Sequence, residues 1–295
     1  MRFLIAGASG FLGSRLRESL VLAGHDVTTL VRRAPGPGQA RWDPYAGTLD
    51  TDLVEKTDVV INLAGSPTLG NPHSRRWADE LLSSRVTTTT VLARAIAAST
   101  RRPAFLAGNG ISYYGDRGAD LLTESEPTGG NAFLTEVTRQ WQAATDPAEQ
   151  SGARVCVLRT APVLDRNNAP LKQLRLLFRA GLGGKLASGE QYFPIISARD
   201  WIATVTFLAE HEETRGPVNL CCPTTPTNAE FTRELAGLVH RPAVFGVPGA
   251  VLRPVAGRMA PEVLGSVRAV PQVLLDHGFR FADPDVGAVL RTALG

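Results

Sequence analysis

The sequence is poor in the residues that build disulfide frameworks and metal sites. Its 295 residues include three cysteines and five histidines. Cys156 lies within an apolar run, and Cys221 and Cys222 are adjacent without a second pair that would complete a metal site. The histidines show no matched ligand spacing. We therefore predict structural thiols, no disulfide framework and no metal.

Long apolar runs and blocks of charge are also missing. No run approaches the ~20 residues that cross a bilayer, and the chain enters a predicted strand at once, without a leader of the signal-peptide type. The net charge of +3 comes from scattered arginines. These absences argue against membrane and nucleic-acid partners, and we expect a cytoplasmic protein. With 43% hydrophobic residues, the chain is able to bury a full core.

What the chain does have is a glycine-rich turn within its first thirteen residues, MRFLIAGASGFLG. An apolar run typical of a strand precedes the turn, and apolar residues at helical spacing follow it. Three glycines indicate backbone that approaches something closely, and unpaired amides at a helix start bind a dinucleotide pyrophosphate. The alternative is a glycine-rich turn without a ligand. The residues of this predicted site are Gly7, Ser9, Gly10, Phe11, Leu12 and Gly13.

Strand and helix patterns alternate through the first half of the chain. The pattern predicts strands at 27–31, 41–43, 58–63, 104–107 and 154–159, and helices at 75–99, 133–149 and 171–180. Such alternation is typical of an α/β fold with a doubly wound parallel sheet, the Rossmann arrangement, whose ligands bind beyond the carboxyl ends of the strands.

After about residue 165 the pattern becomes irregular. We predict a nucleotide-binding domain over 1–165 and a smaller mixed α/β substrate-side lobe over 166–295, with later sheet strands returning around 191–222. Thr227 and Glu230 form a predicted capping box, Gly278 a helix stop, and Asp283 with Pro284 the start of the final helix.

The end of the second predicted strand indicates which dinucleotide is bound. An acidic residue there favours NAD, but this strand ends in Val31, Arg32 and Arg33. Because a guanidinium fork suits a phosphate, the sequence favours NADP(H). The alternative is a solvated surface pair. At the end of the strand at 58–63, the turn through Leu63, Ala64 and Gly65 is a candidate contact for the nucleotide. The alternative is an ordinary strand-end turn.

A set of short segments is distinctive in combination: LIAGASGFLG, TLVRR, PGPG, WD, VINLAG, RRW, SSRV, YYGDRG, LRT, AGLGGKLASGEQYFP, TNAEFTREL and the run from Pro242 to Leu290. Together these segments resemble the extended short-chain dehydrogenase/reductase superfamily, and within it an atypical group called the epimerase family. The resemblance covers almost the whole chain. Its last segment, 242–290, is similar to a small domain of unknown function found with this group.

The resemblance implies a Rossmann domain that binds NADP, with Arg32 on the 2′-phosphate and Leu63 and Ala64 beside the nucleotide. It also implies cofactor roles for Glu80, Arg85 and Arg159. The alternative for the two helix residues, Glu80 and Arg85, is surface charge without a ligand.

Catalysis is where this chain departs from the superfamily. Working members use a Ser or Thr, a Tyr, and a Lys four residues after the Tyr. The corresponding segment here, 133–138, reads FLTEVT and has neither Tyr nor Lys. The upstream hydroxyl position is Asn109, with Ser112 nearby. Tyr113 and Tyr114 are the candidate substitute acids, although aromatic residues more often serve packing.

The sequence thus predicts an NADP(H)-dependent oxidoreductase or epimerase acting on a small polar carbonyl or hydroxyl compound, with a sugar nucleotide as one option by family analogy. The second hypothesis is an NADPH-binding sensor or regulatory protein without catalysis that acts through a protein partner. The long helix after the fourth strand is a candidate face for a homodimer.

Overall fold

The computed structural model describes every residue from Met1 to Gly295. The first half of the chain contains β1 Arg2–Ala6, α1 Phe11–Leu22, β2 Asp26–Val31, β3 Gln39–Arg41, α2 Thr51–Glu55, β4 Val59–Asn62, α3 Arg75–Ala98, β5 Ala104–Gly110, a 3-10 turn Ile111–Tyr114, β6 Leu121–Leu122, α4 Phe133–Ala143 and α5 Asp146–Gln150.

The second half continues with β7 Val155–Thr160, β8 Val163–Leu164, α6 Leu171–Arg179, β9 Gly184–Leu186, β10 Ile196–Ser197, α7 Ala198–Glu210, β11 Gly216–Leu220, α8 Asn228–Leu238, β12 Phe245–Val247, α9 Gly249–Ala256, a 3-10 turn Gly257–Met259, α10 Ala260–Leu264, β13 Arg268–Ala269, α11 Gln272–Asp276 and α12 Val286–Leu294. None of these helices combines the length and apolar character that crossing a membrane requires.

Seven strands form the central sheet, in the order β11-β7-β5-β4-β1-β2-β3. The pairs β2–β3, β1–β2, β1–β4 and β4–β5 are all parallel. The order runs outward from β1 in both directions, as in a doubly wound α/β sheet. This strand order confirms the predicted fold class. The prediction was possible because connection rules allow few topologies for buried strands that alternate with helices.

Two compact units make up the chain, and both are discontinuous in sequence. Unit 1 comprises residues 1–109, 137–158 and 205–217. Its core is formed by strand residues and the inner face of α3, including Leu4, Val60, Leu92, Phe105 and Val157, all buried. Apolar residues of α3 recur at helical spacing because only one face of this helix meets the sheet.

Unit 2 comprises residues 110–136, 159–204 and 218–295. One of its cores packs α6, α8 and α12 through residues such as Leu171, Phe231 and Leu290. A smaller core surrounds the turn after β5 and includes Tyr114 and Leu122. Both cores draw on residues beyond position 218, so the end of the chain is integral to this unit.

Local signals predicted the element boundaries well where a capping residue marks them. The capping box of Thr227 and Glu230 is present, and Gly278 follows α11 with φ 78°.

Two predictions are wrong. The helix predicted at 133–149 is broken into α4 and α5, and Pro147 lies in the first turn of α5, where its missing N–H is tolerated.

The start of the final helix is the second correction. Asp285, not Asp283, caps α12 and accepts a hydrogen bond from the Ala288 amide. Asp283 is buried and pairs with Arg199 at 2.6 Å instead. Asp283 lies two residues before the capping position, and its carboxylate pairs with Arg199 instead of capping the helix.

Candidate functional site

The turn between β1 and α1 is built on close backbone contacts. Gly7 has φ 82°, and a Cβ atom added there would lie 2.5 Å from the carbonyl carbon of Leu63. A Cβ atom on Gly13 would collide with the Gly7 carbonyl oxygen. These two glycines are therefore required by the packing of β1, α1 and the segment after β4, whether or not a ligand is bound.

Gly10 differs from these two glycines, because the chain itself leaves room beside it. A Cβ atom there would meet only the Gly7 carbonyl oxygen, at 3.4 Å. Gly10 caps α1, no side chain caps the helix start, and its first turn holds no acidic residue. Ser9 is exposed, and Phe11 and Leu12 are half-buried. The site thus offers the positive end of a twelve-residue helix and an open approach, which fits a pyrophosphate.

The two arginines at the end of β2 are free for a ligand. Val31 is half-buried, whereas Arg32 and Arg33 are exposed and make no ion pair or hydrogen bond within the chain. No carboxylate occupies the strand end where NAD-specific folds place one. Both guanidinium groups are available to a phosphate.

The segment after β4 is held by a network of side chains. The Leu63 amide donates to the Ala6 carbonyl at 2.9 Å, and the Ala64 amide donates to Asn62 Oδ1 at 3.0 Å. The buried Asn62 amide donates in turn to Thr89 Oγ1 at 2.9 Å. A segment fixed by buried hydrogen bonds presents Leu63, Ala64 and Gly65 in one arrangement.

Arg85 is engaged by the chain itself. Its guanidinium donates to the carbonyls of Ser66 and Leu81, at 3.1 and 3.0 Å, and to Thr68 Oγ1 at 3.0 Å. It also lies 5.1 Å from the ring centre of Trp141, and burial lowers its pKa to about 10. Arg85 therefore fixes the segment after Gly65, and its predicted contact with the cofactor stays a prediction, as does that of the exposed Glu80.

Asn109 lies at the carboxyl end of β5 and is buried. Its side-chain amide donates to the Thr138 carbonyl of α4 at 3.1 Å. Helix α4 begins at Phe133 and carries neither the tyrosine nor the lysine of the usual proton relay. Asn109 can orient an oxygen by hydrogen bonding, but an amide does not exchange a proton as a hydroxyl does.

The two tyrosines after β5 have different environments. Tyr114 is fully buried, and its hydroxyl lies within 3.0 Å of the Thr123 carbonyl, Asn219 Oδ1 and Arg159 Nη1. Burial raises the pKa of Tyr114 to about 12. Tyr113 is half-buried and carries the Arg159 guanidinium 3.6 Å above its ring. Tyr114 is enclosed among polar partners, which suits a structural role.

Arg159 belongs to this buried cluster of unit 2. Besides Tyr114, its guanidinium donates to the Glu124 carbonyl at 3.3 Å. The Glu124 carboxylate is itself buried, which raises its pKa, and accepts from the Asn219 and Val273 amides. The cofactor contact predicted for Arg159 stays a prediction, and the structure gives this residue internal partners on which the turn after β5 depends.

Ser112 has a partner that the sequence did not indicate. Its hydroxyl donates to Glu262 Oε2 at 2.7 Å. Burial raises the pKa of Glu262, and the Ser112 hydroxyl partly opposes that shift. The two residues are 150 positions apart, and no local spacing rule connects them.

The three cysteines are buried and unpaired. Burial raises the pKa of Cys156 to about 11 and that of Cys222 to about 12, so these thiols are poor nucleophiles. No group of three or more His, Cys, Asp or Glu side chains is placed to hold a metal ion.

The comparison with protein families agrees with the glycine turn and the sheet. The family model described as "NAD dependent epimerase/dehydratase family" matches residues 3–221. The chain belongs to this family. A second model, a domain of unknown function called DUF1731, matches residues 247–293, the segment that contributes Glu262.

Several relatives align with almost the whole chain. An epimerase family protein of Mycobacterium tuberculosis is 37% identical over 97% of this chain and 95% of its own. The bovine epimerase family protein SDR39U1 is 37% identical over 100% of both chains. The crystal structure of human SDR39U1 (isoform 2) with NADPH has a TM-score of 0.88 and 32% identity, and covers 99% of both chains.

A nucleoside-diphosphate sugar epimerase from Corynebacterium glutamicum is 31% identical with a TM-score of 0.82. The alignment covers 100% of this chain and 58% of that one. A UDP-galactose 4-epimerase, with a TM-score of 0.72 and 19% identity, shows the shared fold alone.

Proposed function

We propose that this protein is an NADP(H)-dependent oxidoreductase or epimerase that acts on a small polar carbonyl or hydroxyl compound. The observation that carries the proposal is the pair of unpaired arginines, Arg32 and Arg33, at a strand end that lacks a carboxylate. A 2′-phosphate is the group that such an end recognises. The human relative crystallised with NADPH supports the same choice.

The residues that would hold the nucleotide come from unit 1. The start of α1 at Gly10 would bind the pyrophosphate, Arg32 the 2′-phosphate, and the segment from Leu63 to Gly65 would lie beside the nucleotide. When bound, the nicotinamide supplies or accepts a hydride. The chain's own hydrogen bonds from Asn62 and Arg85 fix the segment after β4.

Our proposal for the substrate class is based on the name of one relative. The Corynebacterium relative is named as a nucleoside-diphosphate sugar epimerase, and a sugar nucleotide has the polar hydroxyl and carbonyl groups that this chemistry requires. We therefore propose sugar nucleotides as one class within the small polar compounds to be tested.

Arg32→Ala tests the cofactor assignment. Removing a charge-assisted phosphate contact should weaken NADPH binding by ~1.5–3 kcal/mol, or roughly tenfold to a hundredfold, and leave NADH binding nearly unchanged. The measurement is a fluorescence titration of purified protein with each nucleotide. Arg17→Ala is the matched control, because Arg17 is exposed on α1 and its loss changes the net charge equally.

An equal loss of NADPH and NADH affinity in Arg32→Ala would contradict the 2′-phosphate contact. Failure of wild-type protein to bind either nucleotide would contradict the proposed function as a whole.

The absence of Tyr and Lys from residues 133–138 favours a second candidate, an NADPH-binding sensor that acts through a protein partner. A panel of carbonyl compounds, including sugar nucleotides, distinguishes the two. Oxidation of NADPH by any member supports the enzyme. Tight NADPH binding without turnover supports the sensor.

A further inference from the structure

The proposed reaction needs a proton donor, and the usual one is missing. Reduction of a carbonyl requires a proton at the oxygen as well as a hydride at the carbon. Neither Tyr nor Lys occurs in the segment at the start of α4 that carries the relay in related enzymes. The candidate acid Tyr114 is fully buried, and its hydroxyl already has three polar neighbours.

Ser112 and Glu262 provide an alternative pair at a suitable place. Ser112 follows the carboxyl end of β5, in the 3-10 turn, and is half-buried. In doubly wound sheets ligands bind beyond the carboxyl ends of the strands. Its hydroxyl contacts Glu262 Oε2 at 2.7 Å, a distance typical of an O–H···O hydrogen bond.

The turn that carries Ser112 is held from two sides. The Arg159 guanidinium lies over the ring of Tyr113, the next residue. The segment that follows Glu262 contacts the same loop, because the Ser266 amide donates to Asp116 Oδ1 at 3.1 Å and the Arg117 amide donates to the Ser266 carbonyl at 2.9 Å. The Ser112 hydroxyl is therefore preorganised, as a catalytic group must be.

The Glu262 carboxyl group has no charged partner. Burial is the larger influence on its pKa, which is raised, and the Ser112 hydroxyl is the opposing one. No cation pairs with the carboxylate, and Ser112 is its one hydrogen-bonding partner in the chain. The residue as a whole is half-buried.

We propose that Ser112 and Glu262 form the proton-transfer pair of this protein and take the place of the missing tyrosine and lysine. This inference rests on the proposed oxidoreductase function. As the hydride adds to the carbonyl carbon, the π electron pair moves to the oxygen, which takes the proton of Ser112 Oγ. Ser112 Oγ regains a proton from the Glu262 carboxyl group, and water reprotonates the carboxylate. The carbonyl compound is reduced, and the nicotinamide nucleotide is the species oxidised.

The C-terminal segment thereby acquires a chemical role. Glu262 lies in α10, within the region matched by the domain of unknown function. Through Glu262 this segment supplies the side chain that accepts the Ser112 hydrogen bond.

The first test is infrared spectroscopy of the protein without nucleotide. In wild type, the carbonyl band of protonated carboxyl groups should include a Glu262 contribution that persists above the ordinary glutamic acid pKa of about 4.3. Glu262→Gln should lose that contribution and keep the one from the buried Glu124. In Ser112→Ala the band should persist to higher pH, because the hydroxyl that favours the charged carboxylate is gone. A Glu262 carboxyl that titrates at or below the ordinary value, or that does not respond to Ser112→Ala, would overturn the pair.

The second test is turnover of NADPH with the carbonyl panel. Glu262→Gln and Ser112→Ala should each lower kcat by roughly a hundredfold or more without changing NADPH affinity. Ser112→Thr, which keeps a hydroxyl, should retain most of the activity. In wild type, kcat should fall as the pH rises through the pKa of Glu262, and Glu262→Gln should lose this dependence. Asp276→Asn, an exposed change in the same segment, is the control.

The outcomes separate the two proposals. Wild-type turnover that persists in both variants would overturn the pair and leave the oxidoreductase intact. Nucleotide binding without wild-type turnover of any compound would overturn the oxidoreductase, and the catalytic pair with it.

Discussion

At the scale of single residues, two glycines with the same φ angle allow the cost of backbone strain to be measured separately from the cost of a steric clash. Gly7 and Gly24 both have φ 82°, but a Cβ atom on Gly7 would lie 2.5 Å from Leu63 backbone atoms, whereas one on Gly24 would have nothing within 4 Å. Gly24→Ala should therefore cost only the left-handed backbone penalty, ~1 kcal/mol. Gly7→Ala should cost clearly more, because β1 and the segment after β4 must separate, and should also weaken NADPH binding.

Thermal unfolding followed by circular dichroism, together with the nucleotide titration, measures both effects. Equal losses of stability in the two variants would show that the close contact between Gly7 and Leu63 adds nothing to the cost of the alanine side chain.

Sequence reasoning can identify a candidate site residue when its signal lies within a few positions along the chain. The glycine turn, Arg32 and Asn109 follow strand ends, which the apolar pattern marks within a few residues. The partner of Ser112 lies 150 positions away, and the internal partners of Arg159 depend on how unit 2 folds. Spacing rules do not reach such contacts, so the sequence could not indicate the bond between Ser112 and Glu262.

At the scale of elements, the 3-10 turn after β5 depends on Tyr114 for its position. Tyr114→Phe removes the hydroxyl that accepts from Arg159 Nη1 and donates to Asn219 Oδ1, so each of these two buried atoms loses one hydrogen bond. We expect it to lower the free energy of unfolding by about 1–3 kcal/mol. Tyr113→Phe is the matched control, because it retains the ring under Arg159 and should change stability little.

Denaturant unfolding of both variants measures the difference. If Tyr114→Phe instead abolished turnover at unchanged stability, Tyr114 would be a catalytic acid after all.

Element type was predicted more reliably than element boundaries for a physical reason. The capping box at Thr227 uses residues three positions apart, and both bonds form locally. Whether Asp283 or Asp285 caps the final helix depends on Arg199, about 84 residues away, and on the buried Asp200 carboxylate that accepts the Asp283 amide. Local signals are ambiguous wherever a distant charge competes for a capping residue.

At the scale of the whole molecule, the interleaved units bear on the domain boundary predicted at residue 165. Unit 1 includes residues 205–217, and the Arg154 guanidinium donates to four carbonyls of that stretch, those of Leu208, Ala209, His211 and Thr214. The Cys156 thiol donates to the Thr214 carbonyl, and β11 is the sheet neighbour of β7. A fragment of residues 1–165 lacks all of these partners.

We therefore expect the fragment 1–165 to unfold without a cooperative transition and to expose its single thiol. Cys156 in β7 is its one cysteine. The rate of its reaction with a thiol reagent therefore measures how exposed β7 is in the fragment. The matched control is the full chain with Cys221→Ala and Cys222→Ala, in which Cys156 is again the one thiol and should react slowly because it is buried. A cooperative melt and a protected Cys156 in the fragment would show that residues 1–165 fold alone. Loss of both would mean that residues 1–165 need the stretch 205–217, which belongs to the same unit, to complete their fold.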